Sequence, residues 1–330
     1  MLKSKLLLAA ALALAAQSLA ASDWQPYPDT LAAFSYSQDT LDDHWQDLTG
    51  VFRGPLPTAE TLRADAQRWP RLYELTRQHL TTISDTHPHL AFLAEGEPSD
   101  HLKEYAAQLR RTWSMLFNGQ FQEARELGLA LGPAGYFPAL YAQALYATLL
   151  ENDEQARQQL LEDVIARTRD IMPLAPDHPM IRFGNAYGKA RILEPLSASE
   201  AVATGYTSEV KDTLIGLLQE NPDNIYALTL YAGVQAGIID AAGSLVARLT
   251  FGAKESSMEE LFESALDLAP HYPAVYYEYA RARLKVDGED GRSEALALLD
   301  KTSDMAPGSA EEALILRASQ RLHQQLINGE

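Results

Sequence analysis

The chain has 330 residues, with 27 Lys and Arg against 45 Asp and Glu, eight His, no Cys and 46% hydrophobic residues. A formal net charge of −18 excludes a nucleic-acid binder that works by phosphate neutralisation, because too few cations are present to replace backbone counterions. The missing thiols remove disulfides, thiolate zinc sites, iron–sulfur clusters and cysteine nucleophiles together, and the apolar content excludes a disordered chain.

Residues 1–20 read as an export signal peptide. Lys3 and Lys5 precede an apolar run from Leu6 to Ala16, and Ser18-Leu19-Ala20 supplies the small residues of a cleavage site. That run is too short to cross ~30 Å of hydrocarbon as a helix, and no later stretch is expected to be apolar enough either. With no cysteine for lipid attachment, the expected product is a soluble, exported, periplasmic protein. A cysteine-free chain of this size must be held by packing alone, which suits a bacterial cell envelope.

Residues 21–98 are expected to form an N-terminal helical cap region. Leu41, Trp45, Leu48 and Phe52 make one helical stripe, and Pro70 separates Leu62 and Ala66 from Leu72, Leu75 and Leu80. Strand-like alternation is confined to the surroundings of Phe34 and Tyr36. Trp24, Trp45 and Trp69 read as packing residues rather than a sugar-binding platform. His87-Pro88-His89 lacks a third partner for a metal, and Asp42, Asp43 and Asp47 read as solvated.

From Ser99 to the end, apolar residues recur at three-four spacing. Leu102, Tyr105, Leu109, Trp113 and Leu116 mark a helix ended by Asn118-Gly119. Further helices are predicted over about 120–131, 136–150, 153–171, 179–193, 208–220, 225–238, 258–268, 274–286, 291–304 and 309–327. Ser256 or Ser257, Ser309 and Asp153 are the expected N-caps. His178 and His271, beside helix-ending prolines, are expected to meet the last carbonyls of the preceding helix or to face water. The fold class is all-α.

The breaks recur. Pro176, Pro222, Pro270 and Pro307 are separated by 46, 48 and 37 residues, and Phe262, Ala265 and Pro270 stand at the same offsets as Leu299, Thr302 and Pro307. Gly119, Phe121 and Ala124 have the arrangement of a tight turn entering a second helix. Residues 99–330 thus resemble the tetratricopeptide (TPR) repeat superfamily, although the spacing departs from its period of about 34 residues. The segment 239–255 is the clearest insertion. With Phe251-Gly252 and the Glu-rich run from Glu259, it is similar to the tetratricopeptide-like regulators of microtubule dynamics and to the periplasmic T component of TRAP-type transporters. The resemblance implies an α-solenoid of about five antiparallel helix pairs whose first helices line a concave surface.

Site chemistry is sparse. No Gly-rich phosphate loop, nucleophile elbow or His-Glu-x-x-His helix occurs, so no enzymatic activity and no cofactor or metal is expected. Arg182, Asn185 and Lys189 share one helical face, as do Glu278, Arg281 and Lys285. With Tyr226, Tyr231 and Tyr277 they would make a tyrosine-rich groove carrying positive charge, and the ligand-binding candidates are Arg182, Asn185, Lys189, Tyr226, Tyr231, Tyr277 and Arg281. The alternative is a solvated face with the tyrosines in the core. Gly184 and Gly188 read as a close helix contact. The expected function is a protein-interaction scaffold or adaptor that binds an envelope protein or peptide on the concave surface. The second reading, implied by the TRAP resemblance, is binding of a small anionic or amphipathic molecule.

Overall fold

The computed structural model describes residues 24–50, 53–83, 86–96 and 100–329; the expected signal peptide lies outside them. Among the described residues the regular structure is entirely helical. The N-terminal part carries α1 (Leu41–Thr49), α2 (Ala59–Arg68) and α3 (Pro70–Thr82). Then follow α4 (Leu102–Phe117), α5 (Phe121–Ala130), α6 (Tyr136–Leu149), α7 (Glu154–Ile171), α8 (Pro179–Leu193), α9 (Ala198–Thr204), α10 (Tyr206–Glu220) and α11 (Ile225–Ala242). A single turn, α12 (Ser244–Val246), runs into a π turn, Ala247–Phe251, and α13 (Glu255–Leu268), α14 (Pro273–Asp287), α15 (Arg292–Asp300) and α16 (Ala310–Asn328) complete the chain. The alternation around Phe34 and Tyr36 forms no strand; both rings pack on the core beside Leu41, Trp45 and Trp113.

Local chemistry explains the boundaries. Gly119, at φ +85°, turns the chain between α4 and α5, a left-handed conformation that costs glycine nothing. Asp153 accepts from the Ala156 amide at 2.7 Å and Ser309 from that of Glu312 at 3.3 Å, as expected of N-caps. Ser256 and Ser257 do not cap: α13 begins at Glu255, and Lys254 precedes it without a side-chain cap. α11 runs to Ala242, four residues past its predicted end. It is an exception to the expectation about membrane spans, since at 18 residues and a mean hydropathy of 1.3 its length and composition would suffice to cross one. Half of it is buried inside the protein, against α10, α13 and α14, which accounts for its apolar character.

His178 takes the opposite role to the expected one. Its ring caps the start of α8, accepting from the Ile181 amide at 3.4 Å, and packs 4.6 Å from the Trp69 ring. Burial lowers its pKa from the ordinary 6.5 to about 4, against the attraction of Asp177. The folded state therefore keeps His178 neutral where the unfolded chain takes up a proton. Stability is expected to fall as pH drops from about 6.5 to about 4 and to level off below. His178→Asn keeps a capping acceptor without the titration. Urea midpoints of the two proteins should diverge across that window and run parallel above it; parallel behaviour throughout would refute this.

From α4 onward each long helix packs on the next long one, and every second one touches the one two further on: α4 on α6, α6 on α8, α8 on α11, α11 on α14 and α14 on α16. Small residues set the tightest crossing. A Cβ on Gly128 of α5 would lie 2.7 Å from the Ala139 Cβ and 2.9 Å from the Gly135 carbonyl oxygen. Gly188 of α8 likewise meets Ile165 at 3.0 Å, whereas Gly184 has only an ordinary contact with Thr168. The succession then returns on itself, because α16 also packs against α4 and α6.

The N-terminal part covers that seam. Leu41, Trp45 and Leu48 join Trp113, Phe117, Ala310 and Leu314 in one cluster, so α1 bridges α4 and α16. Leu62, Leu80 and Leu90 pack on Leu102, Tyr105 and Leu109, while Trp69 and Leu72 reach Tyr136, Val164 and Ile181. Trp45 and Trp69 are buried, and Trp24 stacks on Tyr146 at 4.2 Å.

Candidate functional site

The inner sides of α6, α8, α11, α14 and α16, with parts of α7, α9 and α10, surround a chamber of about 1390 Å³. This exceeds the roughly 300–1,000 Å³ of ordinary small-molecule sites. Much of its wall is apolar, including Leu145, Leu149, Leu161, Val234 and Ile238. Two wall residues of α11, Gly233 and Gly237, would have no atom within 4 Å of an added Cβ. Glycine inside a helix costs about 1 kcal/mol against alanine, and no helix contact here requires it. What these positions provide is space in the chamber.

Four charged side chains form a closed ring on the wall. Arg191 and Glu194, at the end of α8, face Glu278 and Arg281 of α14. Arg191 donates to Glu278 at 2.6 Å and pairs with Glu194; Arg281 donates to Glu278 and to Glu194, each at 2.9 Å. Burial pushes the two carboxyls up, but the guanidiniums outweigh it and hold both below the usual carboxylate range. The alternation of charges makes the ring a self-neutralised unit. Lys285, one turn beyond Arg281, also lines the chamber, and it makes no ion pair or hydrogen bond with a described residue. Burial lowers its pKa, with attraction from Glu194 opposed by repulsion from Arg281 and Arg191.

A second polar group lies where the N-terminal part meets α16. Arg53, just before Gly54-Pro55, is buried and donates to Glu311 at 2.7 Å. Tyr141 and Tyr272 donate to the other oxygen of Glu311. The guanidinium also lies over the rings of Tyr141 and Tyr226, 4.7 and 5.1 Å from their centroids, an arrangement that favours a cation. Burial alone would lower the pKa of Arg53; Glu311, with the tyrosines behind it, raises it well above the ordinary value. Tyr141, Tyr226, Tyr272 and Glu311 line the chamber, so Arg53 supports one part of its wall from behind.

Of the seven residues expected to bind, Tyr226, Tyr277 and Arg281 line the chamber and Arg182, Asn185, Lys189 and Tyr231 do not. Arg182 is held by Glu220, at 2.6 Å, and Lys189 by Glu209, both on α10. Asn185 donates to the Ile165 carbonyl and the Thr168 hydroxyl of α7. Tyr231 packs with Met180, Phe183 and Leu214. The physical reason is the phase of α8. Its chamber side carries Phe183, Tyr187, Ala190 and Arg191, while the 182-185-189 stripe faces its neighbours α7 and α10. Polar residues occur on both sides, so polarity alone does not orient the helix. Arg281 has its charge engaged by two carboxylates, unlike the open cationic clamp expected.

Arg53, Arg191, Glu194 and Glu311 escape sequence reasoning. Glu194 sits in the Glu194-Pro195 break, Arg53 beside Gly54-Pro55, and neither belongs to a periodic stripe. Among the described residues no group of three metal-capable side chains gathers, and the rings of His87 and His89 are 6.0 Å apart. Comparison of the chain with protein-family models, with curated proteins and with solved structures gives no match.

Proposed function

We propose that the protein is a non-enzymatic, exported binding protein that holds an amphipathic small molecule in the interhelical chamber. The observation that carries this reading is the chamber itself, whose apolar walls and ring of paired charges on α8 and α14 would solvate both ends of such a ligand. Burial of an alkyl chain there would contribute about 0.8 kcal/mol per methylene. Gly233 and Gly237 support the reading, since they widen a space rather than admit a neighbouring helix.

The architecture behind it is read as a tetratricopeptide-like solenoid in which α4–α5, α6–α7, α8–α10, α11–α13 and α14–α15 are successive pairs and α16 closes the array. With α16 seated on α4 and α6, the inner face suits a small molecule or an extended peptide better than a folded partner. An envelope protein acting with it, as the resemblance to the TRAP T component implies, would meet the outer surface, where Leu245, Val246 and Leu249 are exposed.

The test fills the chamber. Gly233→Trp with Gly237→Trp places two indoles where nothing else stands, and should leave the helical circular dichroism and melting temperature no lower than before. Binding of the fluorescent amphiphile cis-parinaric acid to the mature protein is expected to fall at least tenfold in this variant. Unchanged binding, or no binding by the parent protein of this acid or of neutral amphiphiles of similar length, would overturn the reading.

A further inference from the structure

The charges on the chamber wall do not balance locally. Around the ring stand three cations, Arg191, Arg281 and Lys285, and two carboxylates, Glu194 and Glu278. Each guanidinium is bonded to both carboxylates. Lys285 is the member left over: half-buried, on the chamber wall, with no hydrogen-bond or ion-pair partner among the described residues. A desolvated ammonium without a counter-charge is costly. Two features keep it in place: it lies in the last turn of α14, where the helix dipole favours a cation, and Glu194 attracts it from a distance.

The contrast with the rest of the chamber is informative. At Glu311 the charge is matched by Arg53 and both oxygens are used, and the unpartnered Nε and Nη1 of Arg53 are enclosed behind the wall, so that part of the wall presents no accessible cation. The chain as a whole carries −18, and Glu154, Glu162, Glu200 and Asp240, with Arg157, line other parts of the chamber; the excess of one positive charge is confined to the ring of α8 and α14 with Lys285.

Resting on the reading of the chamber as a ligand site, we infer that Lys285 seats the single carboxylate of an amphipathic ligand, completing an alternating set of three cations and three anions. The apolar part then lies along the chamber wall. A monoanion fits this count. A phosphate monoester, which approaches two charges at neutral pH, would leave a surplus negative charge near Glu194 and Glu278. The contact is a charge-assisted hydrogen bond to a half-buried ammonium, stronger than a bond between neutral groups.

The experiment is calorimetric titration of the mature protein with dodecanoate, 1-dodecanol and dodecyl phosphate below their aggregation concentrations. Dodecanoate is expected to bind at least tenfold more tightly than the alcohol and more tightly than the phosphate. Lys285→Met should bring acid and alcohol to within about twofold while leaving the alcohol unchanged, and Lys285→Arg should keep most of the preference. Glu194→Gln, which makes the cluster more positive, should move the ratio the other way. If acid and alcohol bind the parent protein equally, or if Lys285→Met leaves their ratio unchanged, the seat is wrong although the chamber reading survives. If no amphiphile binds, both fall.

Discussion

Replacing Arg53 by Met is expected to lower the unfolding free energy by about 3–5 kcal/mol, the usual cost of leaving one partner of a buried ion pair unmatched. Both side chains are almost fully enclosed, at 1% and 3% exposure. The carboxylate of Glu311 would keep its two tyrosine donors but lose its counter-charge in an almost fully enclosed site. The double variant Arg53→Met, Glu311→Gln removes both charges and should recover much of the loss, since a neutral amide can still accept from the tyrosines. Urea unfolding of the three proteins measures this. A single variant within about 1 kcal/mol of the parent would show that the pair does not hold the N-terminal part to α16.

Trp113→Ala should cost a similar amount, about 3–5 kcal/mol. The indole is 3% exposed. It meets the Trp45 ring edge-on at 5.4 Å, stacks with Phe117 at 5.5 Å and meets Phe137 at 5.1 Å. These partners come from α1, α4 and α6, three elements whose positions other contacts fix, so the void cannot collapse readily. Hydrogen exchange adds a second readout. Amides of α16 should lose protection along with those of α4, because Leu314 belongs to the same cluster. Faster exchange confined to α4 would contradict the seam described above.

Much of the helical layout is written in the sequence. The segments 102–193 are bounded by Asn118-Gly119, Gly132-Pro133 and the proline-rich break from Pro173 to Pro179, residues that stop helices for backbone reasons independent of tertiary contacts. α9 is not legible, because its seven residues include none that is buried and so carry no periodic stripe. The start of α13 shifts because Lys254 binds through its backbone to Gln235 of α11 at 3.2 Å, a contact across 19 residues. The site was partly legible for the same kind of reason. α14 carries Tyr277 and Arg281 on its chamber side, one turn apart and so readable as one face, whereas the phase of α8 depends on which neighbours it meets. The pairing of Arg53 with Glu311 joins residues 258 apart, a distance over which no local pattern carries information.

An open repeat array can begin folding at any unit and can lose a terminal one at modest cost, since each unit answers only to its neighbours. The return of α16 onto α4 and α6 changes that. Contacts such as Tyr36 with Gly308, 272 residues apart, form only when nearly the whole chain is present, and they raise the contact order of an otherwise local topology. The entropy of bringing such distant segments together grows only slowly with length, by about 0.6 kcal/mol per doubling, so closure is affordable but late. Until it happens the apolar faces of α4, α6 and α14 that α16 covers are bare, a state prone to association. A chain that lacks its last helix is then a different object from a shortened solenoid: it is an unfinished vessel with its lining exposed.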